Sequence, residues 1–184
     1  MIKELMNNKP AKLFALISAF FVANALIAEC IGGKIFSLEA VLGVDPVNFS
    51  FFGESNLSFA LTCGVILWPI EFIVTEIVNE YYGPKAVKRI SYTAVALISY
   101  AFLMFYLAMK LAPPAWWLSS KTDNGVPNMQ DAFSAIFGQG MWIIFGSLMA
   151  FLVSQIIDVM VFHRIKKATG EKWVWLRATG STMV

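Results

Sequence analysis

Four apolar runs, each close to the length of a membrane-crossing helix, leave this chain few ways to fold. They cover roughly residues 13–31, 57–78, 90–109 and 141–162. A hydrocarbon core about 30 Å thick is crossed by about 20 helical residues. Only helices and closed barrels satisfy their backbone polar groups inside lipid. No strand-length alternation punctuated by turns recurs, so helices are expected. Composition agrees: hydrophobic residues make up 58% of the 184 and charged residues 14%, against about 25% charged in a soluble domain. A soluble fold could not hide that much apolar surface. The first run is long, carries Glu29 near its end and lacks a small-residue cleavage site, so it reads as a true span rather than a leader. The expectation is an all-α polytopic membrane helix bundle with four complete spans and the start of a fifth in residues 176–184, forming a single domain over 1–184.

The links between runs differ in character. Residues 32–56 hold Gly, Asp-Pro, Asn and Ser and read as a loop with a short helix at 36–42. Tyr82-Gly83-Pro84 stops the second run, and Pro113-Pro114-Ala115-Trp116-Trp117 stops the third and sets two Trp at an interface. Residues 119–127 are turn-like, and 131–137 form a short surface helix. Thr169-Gly170 stops the fourth run.

Lys and Arg set the orientation. With the N-terminus inside, the inner segments hold Lys3, Lys9, Lys12, Lys85, Lys88, Arg89, Arg164, Lys166, Lys167, Lys172 and Arg177, 11 of the 14 basic residues. The outer loops hold Lys34, Lys110 and Lys121. The positive-inside rule therefore predicts an N-in topology. A net charge of +2 gives no sign of a nucleic-acid partner. Cys30 and Cys63 lie in apolar runs without metal-ligand spacing. They read as buried thiols, with a disulfide left open.

Ionisable groups inside lipid cost about 2.5–3.5 kcal/mol on insertion scales, so they usually face a cavity or a partner. Glu29, Glu71, Glu76 and Asp158 are in or near the runs, with Asn24, Asn79 and Gln155. Glu71, Thr75 and Asn79 fall at i, i+4 and i+8 on one helix face, and Glu76 and Glu80 on a neighbouring one. Glu80 reads as solvated or paired with Lys85 and Arg89. In the fourth run Ser147, Ser154, Gln155 and Asp158 share one side with Phe151 and Phe162. Such a stripe suits a planar polar ligand; the alternative is an interhelical hydrogen-bond seam. Glu29 reads as a boundary charge or a functional acid, and His163 as an interfacial residue. Ala11, Ala15, Ala19 and Ala23 recur every four residues, a spacing that lets helices approach closely within the chain or against a partner.

Three stretches go further. Trp68-Pro69-Ile70-Glu71-Phe72-Ile73-Val74-Thr75-Glu76 leads through Glu80-Tyr81-Tyr82-Gly83 to a basic run ending at Arg89. Gln155-Ile156-Ile157-Asp158-Val159-Met160-Val161-Phe162-His163-Arg164 closes the fourth run. Trp175-Leu176-Arg177 precedes Ser181-Thr182. Over residues 59–184 the chain resembles the queuosine precursor transporter family, bacterial inner-membrane proteins of the vitamin uptake transporter type. The resemblance implies a six-helix transporter fold, with the last helices missing here. It implies import of 7-cyano-7-deazaguanine and 7-aminomethyl-7-deazaguanine for tRNA queuosine salvage.

A deazaguanine offers adjacent N–H donors that a carboxylate or an amide can accept, and a flat face that aromatic rings stack upon. The substrate-binding candidates are therefore Glu71, Glu76, Gln155 and Asp158, with Phe72, Phe151, Phe162 and Trp68 as stacking partners. No catalytic residue, metal site or cofactor is expected. Partners are the 7-deazapurine substrate, the lipid bilayer, and a homo-oligomer or energising partner docking on Ala11, Ala15, Ala19 and Ala23. No Gly-rich phosphate loop exists, so the chain is not expected to hydrolyse ATP. A proton, an ATPase partner or simple facilitation all stay open. Alternative readings are a transporter of another small ring compound or vitamin, and a non-transporting membrane assembly protein.

Overall fold

A computed structural model describes residues 8–138 and 141–170 of the chain. In chain order the elements are α1 (Lys9–Ile31), β1 (Ile35–Ser37), α2 (Leu38–Leu42), β2 (Phe49–Phe51), β3 (Glu54–Leu57), β4 (Ala60–Thr62), a 3-10 turn (Cys63–Ile66), α3 (Trp68–Tyr82), α4 (Pro84–Lys110), α5 (Ala115–Leu118), a 3-10 turn (Thr122–Asn124), α6 (Met129–Phe137) and α7 (Met141–Thr169). Among the described residues three helices are long and apolar enough to cross a membrane: Lys9–Ile31, Pro84–Lys110 and Phe145–Thr169. The chain is thus an all-α, multi-pass membrane protein in its spanning part. The expected fifth helix at 176–184, with Lys172, Trp175, Arg177, Ser181 and Thr182, lies outside the described residues, as does Lys3.

The second expected span differs from its sequence reading. Residues 57–78 are not one helix: β4 and the 3-10 turn occupy the first part, and α3 begins only at Trp68 and runs on to Tyr82. Pro69 explains the boundary. It is in the first turn of α3, where a missing N–H has no intrahelical partner to lose and a fixed φ already suits the helix. The proline starts a helix here rather than kinking one.

Each long helix turns an apolar stripe inward at helical spacing. On α1 it is Phe21 and Ala25, and on α4 it is Val87, Ile90, Ala94, Ile98 and Phe102. With Val74 and Val78 of α3 and Leu148 and Val159 of α7 these form one core. α4 packs against α1, α3 and α7, and α6 covers its far end. The outward faces carry Leu13, Leu16, Phe20, Tyr100, Leu103 and Val153, all exposed, as a lipid-facing surface requires. Ala15, Ala19 and Ala23 are also exposed. The small-residue row therefore points away from the bundle rather than into it.

Gly83 joins α3 to α4 without a linker. Its φ of 81° and ψ of 171° fall in a region essentially confined to glycine, and Pro84 opens α4 directly behind it. The opposite end is closed by a ribbon. β1 and β4 pair antiparallel, Ile35 with Thr62 and Ser37 with Ala60, and the Cys63 N–H donates to the Lys34 carbonyl at 2.8 Å. Gly64 lies so close to α1 that a Cβ there would meet the Ala28 carbonyl oxygen at 2.8 Å. Within the loop read from sequence at 32–56 there is thus a short helix, Leu38–Leu42, and part of two two-stranded sheets. Glu39 fastens this region. Its Oε1 accepts from the Phe59 N–H at 2.7 Å and its Oε2 from the Ser37 hydroxyl at 2.9 Å. The Phe59 N–H, then Glu39's own amide and the Ser37 hydroxyl, hold its carboxyl below the usual range. Cys30 and Cys63 are free thiols.

Candidate functional site

Long-range side-chain contacts fix how the helices run. Asn24 meets Glu71 while the Tyr82 hydroxyl donates to the Pro10 carbonyl at 3.0 Å, so α1 and α3 are antiparallel. The Ser147 hydroxyl donates to Glu29 Oε1 at 2.6 Å, and the rings of Phe21 and Phe151 are 6.2 Å apart, so α1 and α7 are antiparallel too. α3 and α7 then run in the same direction, and Glu80 pairs with Lys166 at 3.2 Å near their far ends. Among the described residues this ion pair joins Glu80 to Lys166 of α7, where the sequence suggested solvation or pairing with Lys85 and Arg89.

Between α1, α3, α4 and α7, toward the ribbon end, is a cavity of about 340 Å³. That is small on the scale of ligand pockets, about 300–1,000 Å³. Trp68, Glu71 and Phe72 reach it from the first turns of α3, and Phe151, Ser154 and Gln155 from α7. Five of the eight candidates from sequence thus meet at one place: Trp68, Glu71, Phe72, Phe151 and Gln155. Glu76, Asp158 and Phe162 are not among its walls. Asp158 follows Gln155 by three residues, about 4.5 Å along the helix, toward the Gly83 end. Asp158 and Phe162 are nonetheless buried, and Glu76 is half-buried.

The electrostatics of the cavity come from three buried groups. Glu71 is 6% exposed and Gln155 4%. Asn24 donates through Nδ2 to Glu71 Oε1 at 2.6 Å and to the Leu67 carbonyl at 3.3 Å. Glu71 Oε2 and Gln155 Oε1 accept no hydrogen bond among the described residues. A buried acceptor left without a donor costs about 1–3 kcal/mol. The described walls therefore offer two buried acceptors that N–H or O–H groups can satisfy.

Sequence reasoning missed the role of two wall residues and one support. Glu29, for which the sequence leaves a boundary charge and a functional acid both open, lines the same cavity. Ser147 was seen in the α7 stripe but not as the donor to Glu29. Asn24 was noted as an intramembrane amide without a partner in view. Their partners lie 118 and 47 residues away in sequence, so no local pattern shows them. The α7 stripe of Ser147, Phe151, Ser154 and Gln155 was legible, and it forms one wall.

The putative vitamin uptake transporter family matches residues 62–184, a stretch that holds α3, α4 and α7 and hence three walls of the cavity. The chain belongs to that family. A probable queuosine precursor transporter of Bacillus subtilis (strain 168) is 32% identical over 125 residues, 67% of this chain and 50% of the relative. The queuosine precursor transporter of Escherichia coli (strain K12) is 29% identical over 129 residues, 70% of this chain and 51% of the relative. The chain thus spans about half the length of these curated relatives. No solved structure matches it. α1, with Asn24 and Glu29, precedes the matched stretch.

Proposed function

We propose that this member of the putative vitamin uptake transporter family serves import of queuosine precursors, 7-cyano-7-deazaguanine and 7-aminomethyl-7-deazaguanine, across the bacterial inner membrane. The observation that carries the reading is a pair of buried acceptors without a donor among the described residues, Glu71 Oε2 and Gln155 Oε1, in a cavity walled by Trp68, Phe72 and Phe151. The N–H groups on the pyrimidine edge of a 7-deazaguanine complement those acceptors. Stacking on an aromatic ring adds about 1–3 kcal/mol per base. The names of the two relatives support the same substrate class.

The topology that goes with this reading is N-in. Lys9, Lys12, Lys85, Lys88, Arg89, Arg164, Lys166 and Lys167 gather toward the Gly83 end, which would face the cytoplasm. The 3-10 turn and α3 together reach roughly 30 Å, by about 2.0 and 1.5 Å per residue, and would complete a fourth crossing within a six-helix fold. The cavity would then open toward the outside, with Glu76, Asp158 and Phe162 further along the inward route. The exposed Ala15, Ala19 and Ala23 would face a second copy or an energising partner. A vitamin or other small ring compound is the second reading, favoured by the family's own description.

The test is restoration of queuosine in tRNA. The chain, and a form extended to the length of its relatives, are expressed in a bacterium that lacks both precursor synthesis and its own importer. Precursor is fed at low concentration and queuosine is read by boronate gel shift. Restoration that is lost in Glu71→Gln and Gln155→Leu at unchanged protein level supports the reading. No restoration by either form, with both present in the membrane, overturns it in favour of another ring compound.

A further inference from the structure

We propose that Glu29 forms a second, cation-binding pole of the same cavity, taking a protonated amine carried by the ligand away from its donor edge. The inference rests on the reading of the cavity as a site for a flat heterocyclic base. It goes further by predicting which substituted bases the site prefers.

Glu29 lines the cavity together with Glu71 and Gln155 but at a different level. It follows Asn24, the partner of Glu71, by five residues, which is about 7–8 Å along α1 toward the ribbon. Its carboxylate is steered from across the cavity, since Ser147 of α7 donates to Oε1 at 2.6 Å. Among the described residues no Lys, Arg or His lines the cavity, and none pairs with Glu29. The described walls therefore carry two acids and no cation, and low-dielectric walls strengthen the field of such an arrangement. Ile98 on the same walls offers a charged group nothing, and the rings of Phe72 and Phe151 offer it a cation–π attraction but no hydrogen-bond acceptor. A positive charge on the ligand is best placed against Glu29.

The chemistry separates two substituents of similar size. An ammonium group donates hydrogen bonds and carries the charge that Glu29 lacks. A nitrile only accepts, so it would face a carboxylate oxygen with no donor to offer. The hydroxyl of Ser147 is already directed at Glu29.

The test is calorimetric titration of the purified chain in lipid nanodiscs with the 7-aminomethyl and the 7-cyano base, at neutral pH. The amine should bind about tenfold more tightly or better, as suits a charge-assisted hydrogen bond. Glu29→Gln should bring the two affinities together by weakening the amine and sparing the nitrile. Ser147→Ala, which removes the steering hydroxyl and keeps the charge, should reduce the preference in part and serves where the Glu29 variant does not fold. Equal binding of the two bases by the unaltered chain, or a preference that survives both substitutions, overturns the proposal and leaves the base site standing. Failure of both bases to bind overturns the base site and this pole with it.

Discussion

Asn24 on α1 holds Glu71 on α3 by a 2.6 Å hydrogen bond, and the same amide nitrogen reaches the Leu67 carbonyl just before α3 begins. One side chain thus ties α1 to the start of α3 and orients an acid, leaving Glu71 Oε2 without a donor among the described residues. Asn24→Ala should destabilise the purified protein by about 1–3 kcal/mol, the cost of stranding a buried hydrogen-bonding group. Asn24→Asp should cost more, because it replaces the donor with a second carboxylate. Thermal unfolding in detergent reads both. A melting temperature unchanged in Asn24→Ala would show that Glu71 needs no support from α1.

Gln155 should behave in the opposite sense. Its Oε1 is buried without a donor among the described residues, so the empty protein gains little from it. Gln155→Leu keeps the volume near constant and should leave stability unchanged or raise it by up to about 1–3 kcal/mol. Binding of the 7-deazaguanines should nevertheless fall at least tenfold. Loss of stability with retained binding would place Gln155 in the scaffold rather than the site.

Two glycines give a matched pair. Gly83→Ala meets no neighbouring atom within 4 Å, so its penalty is conformational alone, set by a φ of 81°. The cost should be about 1–3 kcal/mol. Gly146 is also unobstructed but is inside helix α7. There alanine should stabilise by up to about 1 kcal/mol through helix propensity. Opposite shifts in unfolding temperature are expected, and a harmless Gly83→Ala would mean that the α3–α4 corner tolerates other geometries.

Glu39 gives a pH dependence. The Phe59 N–H, then Glu39's own amide and the Ser37 hydroxyl, lower its pKa in the folded chain. A lowered folded pKa means that its contribution is present above the unfolded value, about 4.3. That contribution is lost as pH falls through the lower folded value. Protection of the Phe59 amide from hydrogen exchange, corrected for the intrinsic rate, should therefore persist through pH 5 and fail only below the ordinary carboxylate range. In Glu39→Gln the protection should be weak at every pH.

The spans were readable because length and apolarity alone specify α1, α4 and α7. The second run was not, since residues 57–66 are as apolar as a helix yet form a strand and a tight turn. What decides them is contact with the end of α1 at Gly64 and with β1, and no local pattern records either. The α7 stripe was visible because Phe151 and Gln155 share a helix face four residues apart. Asp158 belongs to that stripe by angle, but it is one turn too far along the axis to reach the cavity, and periodicity gives direction without depth. Glu29 and Asn24 escaped for the converse reason. Each looked isolated in α1, and their meaning comes from Ser147 and Glu71.

The ribbon at the cavity's end of the bundle also bears on which helices can part there. Pulling α1 from α3 at that end would strip the β1–β4 ladder, the Cys63–Lys34 bond and the Asn24 link at once. Pulling α7 from α1 breaks, among the described side-chain hydrogen bonds, the single Ser147–Glu29 contact. α1 and α3 are thus latched like two leaves of one panel, while α7 is tied to α1 by one such bond.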